Sequence, residues 1–65
     1  MEYISVGDLV QFDLSHALGI VTKIKPADAF DISENITDIK VHWVDGEEFW
    51  CLNMTLKVIS KNENY

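Results

Sequence analysis

Sixty-five residues, 48% of them hydrophobic, carry a net charge of −6: enough apolar content for a folded core, and length for one domain only. No apolar run nears the roughly 20 residues that span a bilayer, and MEYISVGDLV lacks the basic-then-apolar order of a signal peptide; a soluble, cytoplasmic chain is expected. Cys51 is alone, which excludes an internal disulfide and a cysteine zinc site, and five lysines with no arginine argue against nucleic acid as the main partner.

Taken in chain order, Val6-Gly7 leads into a first strand, Asp8 to Asp13, and Leu14-Ser15-His16 forms a polar turn. Ala17 to Lys25 is rich in β-branched residues and reads as a second, longer strand. Gly19 inside it marks a bulge or a close backbone approach, and Pro26, which cannot donate to a ladder, ends it. Ala27 to Thr37 is the least regular stretch. It reads as an excursion that tucks one or two of Phe30, Ile32 and Ile36 onto the core, with room for one helical turn.

The strongest local signal is the pair of runs Ile39–Val44 and Glu47–Leu52 around Asp45-Gly46. Asp-Gly between strand-like runs predicts a hairpin with a two-residue type I′ turn. That register sets Val44 opposite Glu47, Trp43 opposite Glu48, Val41 opposite Trp50 and Ile39 opposite Leu52. Opposed residues share a face, so Ile39, Val41, Trp43, Trp50 and Leu52 become the core face. Lys40, His42, Val44, Glu47, Phe49 and Cys51 become the outer one. A three-residue loop would instead put the two tryptophans on opposite faces. Asn53-Met54-Thr55 reads as a short 3₁₀ connector, Leu56 to Ser60 as the last strand, and 61–65 as a polar tail likened to a fraying end. Residues 1–60 thus form one all-β domain of five strands, with one long loop between strands 2 and 3.

Val6-Gly7-Asp8-Leu9-Val10, Leu18-Gly19-Ile20-Val21, Lys40-Val41-His42-Trp43, Trp50 and Leu56-Lys57-Val58-Ile59 together resemble SH3-like barrels of the KOW and Tudor kind. More closely, they are similar to small barrel proteins of tailed phages, those of cyanobacteria included. The resemblance covers residues 4–60. It implies a small five-stranded SH3-like barrel, with structural roles for Gly7-Asp8 and Gly19, in a phage protein found in host cytoplasm or virion. A methyl-lysine cage of the Tudor kind needs converging exposed aromatics, whereas the predicted register buries both tryptophans. The basic loops usual in KOW-type RNA contacts are missing.

Catalytic, metal and cofactor sites are not expected. His16 sits in a turn, and His42 lies beside Lys40 with no partner spaced for metal or base chemistry. His42 opposes Phe49 in the predicted register and reaches Cys51 only diagonally, with no acid to orient it. Asp28, Asp31, Glu34 and Asp38 lack the alternating order of a calcium loop, and Asn35-Ile36-Thr37 is a chance glycosylation match. Two surfaces remain. Phe49 and Val44, rimmed by Lys40, His42 and Glu47, form a candidate protein interface, with self-association as one form of it. Lys23, Lys25 and Lys40 would gather into a weak nucleic-acid patch if their strands pair. The leading expectation is a non-catalytic protein-interaction or virion-assembly module, contacting a phage structural or host protein. The alternatives are an acidic modulator that occupies a basic nucleic-acid-binding surface of a host protein, and weak nucleic-acid binding through the lysines.

Overall fold

Each β-branched or aromatic run forms a strand in the computed structural model, which describes residues 3–25, 29–31 (backbone only) and 37–62. The strands are β1 (Tyr3–Ser5), β2 (Leu9–Phe12), β3 (Leu18–Lys25), β4 (Ala29–Asp31), β5 (Asp38–Trp43), β6 (Glu48–Leu52) and β7 (Leu56–Ser60). A 3₁₀ turn, Asn53–Thr55, joins the last two, as the sequence predicts. The described residues contain no α-helix, and no helix is long and apolar enough to cross a membrane.

Five strands make one antiparallel sheet in the order β6-β5-β3-β2-β7, while β1 and β4 pair separately. The short β1–β4 ladder was not foreseen; β4 falls inside the predicted long loop, and the rest of that loop, 26–28 and 32–36, lies outside the described residues. β6 and β7 occupy opposite edges of the sheet, yet only three residues connect them. Flat, five strands would hold those edges about 19 Å apart, at about 4.8 Å per strand. The four chain steps from Leu52 to Leu56 span at most about 14 Å. The sheet is therefore curled, although β6 and β7 share no ladder and it is not closed.

The concave face carries the core: Val10, Val21, Ile39, Val41, Trp43, Cys51 and Leu56, joined by Ile4 from β1. Two features of β3, a glycine and a bulge, make this possible. Gly19 sits directly opposite Trp43, where a Cβ would lie 2.5 Å from Val41 Cγ1 and 2.8 Å from Trp43 Cε3. Of the two roles predicted for Gly19, close approach is the one it fills. The bulge falls at Thr22, between Val21↔Val41 and Lys23↔Lys40. An extra residue reverses the alternation, so Val21 and Ile24 both reach the core side and Lys23 and Lys25 both face out.

The predicted hairpin register is one residue off. Ile39 pairs with Cys51, Lys40 with Trp50, Val41 with Phe49 and His42 with Glu48. The loop is three residues long, Val44-Asp45-Gly46: Gly46 N–H donates to Trp43 O at 2.9 Å, and Trp43 N–H to Glu47 O at 2.7 Å. Only Gly46 has positive φ there (97°), whereas a type I′ turn needs two such residues. Asp45 instead uses its carboxylate to accept from Glu47 N–H at 3.0 Å. Because strand side chains alternate, this single-residue slip turns all of β6 over. Cys51 enters the core, and Trp50 and Leu52, expected inside, are exposed.

A second tie holds the chain's ends. Asp8 is wholly buried and accepts from Ser5 N–H (2.8 Å), Lys61 Nζ (2.6 Å) and Asn62 N–H (2.7 Å). Lys61 Nζ also donates to Tyr3 O and Ser5 Oγ. Lys61 and Asn62, assigned from the sequence to a fraying tail, are thus bound to the start of the domain; residues 63–65 lie outside the described set.

Candidate functional site

The convex face of β3, β5 and β6 gathers the chain's unusual surface residues. The Thr22 bulge turns Lys23 and Lys25 outward, and the hairpin register sets Trp50 beside Lys40. One row across the sheet is Lys23, Lys40, Trp50; the next is Lys25, Asp38, Leu52; on the other side of the bulge lies Ile20, His42, Glu48. The strands do pair as the lysine patch requires, so Lys23, Lys25 and Lys40 share one surface.

Trp50 is one of the β6 residues that sequence reasoning misplaced. The residue is 44% exposed, and two ammonium groups stand over its ring, Lys25 Nζ at 5.7 Å and Lys40 Nζ at 5.8 Å from the centroid. Cations are held there by the negative face of the indole, a weak attraction at an exposed site. Lys23 and Lys40 stand directly opposite one another, a like-charge pairing that destabilises a sheet. Three of the five lysines of an acidic chain are therefore concentrated where they repel. Thr22 Oγ1, 2.9 Å from Glu48 Oε2 and 3.2 Å from Lys40 O, steadies the rim.

The five residues of the predicted interface do not form one face. Lys40 and His42 lie on the convex side, while Phe49 is on the core side, with its ring 5.5 Å from Trp43's. Val44 lies in the loop at 77% exposure, and Glu47 closes the loop against Trp43. Phe49 is half exposed at the open end of the core, where with Phe12 it flanks Trp43. The cause is again the one-residue shift of β6.

The same shift separates His42 from Cys51, which now occupy opposite faces. Burial pushes the Cys51 thiol above its ordinary pKa, which favours the unreactive thiol over the thiolate. His16 sits in the β2–β3 turn at φ 62°, its N–H donating to Phe12 O at 2.8 Å. Among the described residues, no three His, Cys, Asp or Glu side chains are grouped to hold a metal ion.

β6 adds backbone to this surface. Bonded and non-bonded pairs alternate along an antiparallel ladder. The bonds Trp43 N–H to Glu47 O and Asn53 N–H to Thr37 O fix the phase at both ends of β5–β6. Ile39–Cys51 and Val41–Phe49 are then bonded pairs, and Glu48, Trp50 and Leu52 turn their N–H and C=O groups away from β5. No strand among the described residues lies on that side of β6. Comparison with protein-family models, curated proteins and solved structures finds no match for this chain.

Proposed function

We propose that this chain is a non-catalytic protein-interaction module built as an SH3-like barrel, which docks through the convex face around Trp50. Support for the barrel comes from connectivity: a meander β2-β3-β5-β6, a 3₁₀ turn, and a strand β7 that returns beside β2. Support for docking comes from one observation, an exposed tryptophan on an edge strand with two lysine ammonium groups over its ring. Tryptophan is favoured at the energetic centre of interfaces, and the mixed rim of Lys23, Asp38, His42 and Glu48 suits their wet periphery. The phage setting, with a virion or host protein as partner, rests on the resemblance alone.

The test is affinity capture from phage-infected host lysate with wild-type, Trp50→Ser and Lys57→Ala baits. Lys57 is exposed on β7 and serves as the control. A defined protein held by wild type and Lys57→Ala, but reduced at least tenfold by Trp50→Ser, is the expected result. Equal capture by all three baits, or capture abolished by nuclease, refutes this reading.

A further inference from the structure

We infer that β6 accepts a partner strand: an extended segment in which acidic residues alternate with apolar ones adds to its open edge. This deepens the docking reading and rests on it. The open edge offers the N–H and C=O groups of Glu48 and Trp50 and the N–H of Leu52, whose C=O already accepts from Thr55 Oγ1 at 2.7 Å, at the spacing another strand needs. Exposed edges are usually blunted by bulges or charges, but β6 instead presents Phe49, Trp50 and Leu52, each more than 40% exposed.

Charge defines the partner's chemistry. An added strand would lie about 4.8 Å from β6, with alternate side chains on the two faces of the sheet. On the convex side it would meet Trp50 and the ammonium groups of Lys25 and Lys40, which the indole draws outward over β6. A carboxylate there would satisfy two cations and relieve the repulsion between Lys23 and Lys40. On the concave side the neighbour is Phe49, whose ring edges the core against Trp43. An apolar residue there would complete the cover of that core. Nucleic acid fits less well, because a sugar-phosphate backbone has no alternating N–H and C=O groups to pair with the open edge of β6.

The experiment is residue-resolved amide exchange of the whole chain, alone and with a synthetic peptide alternating glutamate and valine. A block peptide of the same composition is the control. The amides of Glu48, Trp50 and Leu52 should exchange readily in the free protein and at least tenfold more slowly with the alternating peptide. Lys25→Gln with Lys40→Gln should weaken that protection at least fivefold, while Lys57→Gln should not. Absent protection, or equal protection by the block peptide, overturns the inference. So does protection that rises with protein concentration alone, which would assign the edge to a second copy. An oligothymidylate that quenches Trp50 where the peptide leaves the amides unchanged overturns it in favour of base stacking. If Trp50→Ser abolishes lysate capture while these amides stay unprotected, the docking face stands and only strand addition falls.

Discussion

Gly19 lies directly across the ladder from Trp43, and the indole occupies the space that a side chain on Gly19 would need. A Cβ there would also come within 2.9 Å of the His42 carbonyl, which is backbone and cannot swing aside. Gly19→Ala should therefore cost about 1–3 kcal/mol, as overpacking does. Urea unfolding reads it directly, and an unchanged midpoint would mean that β3 and β5 are further apart than described.

The two tryptophans should respond in opposite ways. Trp43 is 3% exposed and Trp50 is 44% exposed. Trp43→Ala should cost about 3–5 kcal/mol, enough to unfold a domain this small. Trp50→Ser should shift stability by about 0.5 kcal/mol, as surface changes do. Equal losses would restore the register in which both rings are buried. Phe49→Ser should fall between them, because it strips one side of the Trp43 ring.

That contrast marks the boundary of what could be read from residues alone. The positions of the five strands in the main sheet, the 3₁₀ connector and the close approach at Gly19 follow from propensity and turn chemistry, which are local; β1 and β4 do not. The register does not, because β6 is apolar on both faces: Phe49 and Cys51 alternate with Trp50 and Leu52. Either set could face inward, and Asp-Gly serves two- and three-residue loops alike. The choice depends on the whole sheet's curvature and on filling the space beside Val41 and Ile39. The Lys23–Lys25–Lys40 grouping was legible as a conditional, and β3–β5 pairing supplies its condition. The hold of Lys61 on Asp8 was not legible, since nothing local links residues 53 positions apart.

Removing the Asp8 carboxylate takes away the acceptor it offers to the N–H groups of Ser5 and Asn62. It also removes, among the described residues, the only negative charge bonded to the Lys61 ammonium, which keeps Tyr3 O and Ser5 Oγ. Asp8→Ala should cost about 3–5 kcal/mol, the range for breaking a buried ion pair from one side. Lys61→Met should cost less, because the backbone donors still reach the carboxylate. Urea midpoints, with faster exchange at the Ser5 and Asn62 amides, check both; a neutral Asp8→Ala would show that the ends are not tied.

Backbone handedness gives a paired test. His16 at φ 62° and Gly46 at φ 97° both occupy the left-handed region. His16→Val and Gly46→Val should each destabilise by about 1–2 kcal/mol, since a β-branched residue is strained there. His16→Gly should be neutral or stabilising by up to about 1 kcal/mol. Thermal unfolding of the three variants decides it, and a harmless Gly46→Val would discard the three-residue loop.

Cys51 supplies the pH dependence. Its thiol is held above its ordinary value of 9.0 by burial, so the folded chain keeps a proton that the unfolded chain releases. Stability should be level below pH 9 as far as this group is concerned. It should then fall by up to about 1.4 kcal/mol per pH unit until the folded thiol also ionises. Cys51→Ala should remove that decline in urea titrations between pH 8 and about 10.

The placing of β7 beside β2 sets an order of events during synthesis. β2, β3, β5 and β6 can pair as successive neighbours once each has been made, but the outer edge of β2 waits for the last strand. Asp8, translated ahead of β2, waits longer still, for Lys61 and Asn62. Until then a nascent chain carries an open β2 edge and a carboxylate served only by its local donor, the Ser5 N–H. Completion is thus a single late step, and a ribosome stalled within β7 would hold a meander without its closing strand.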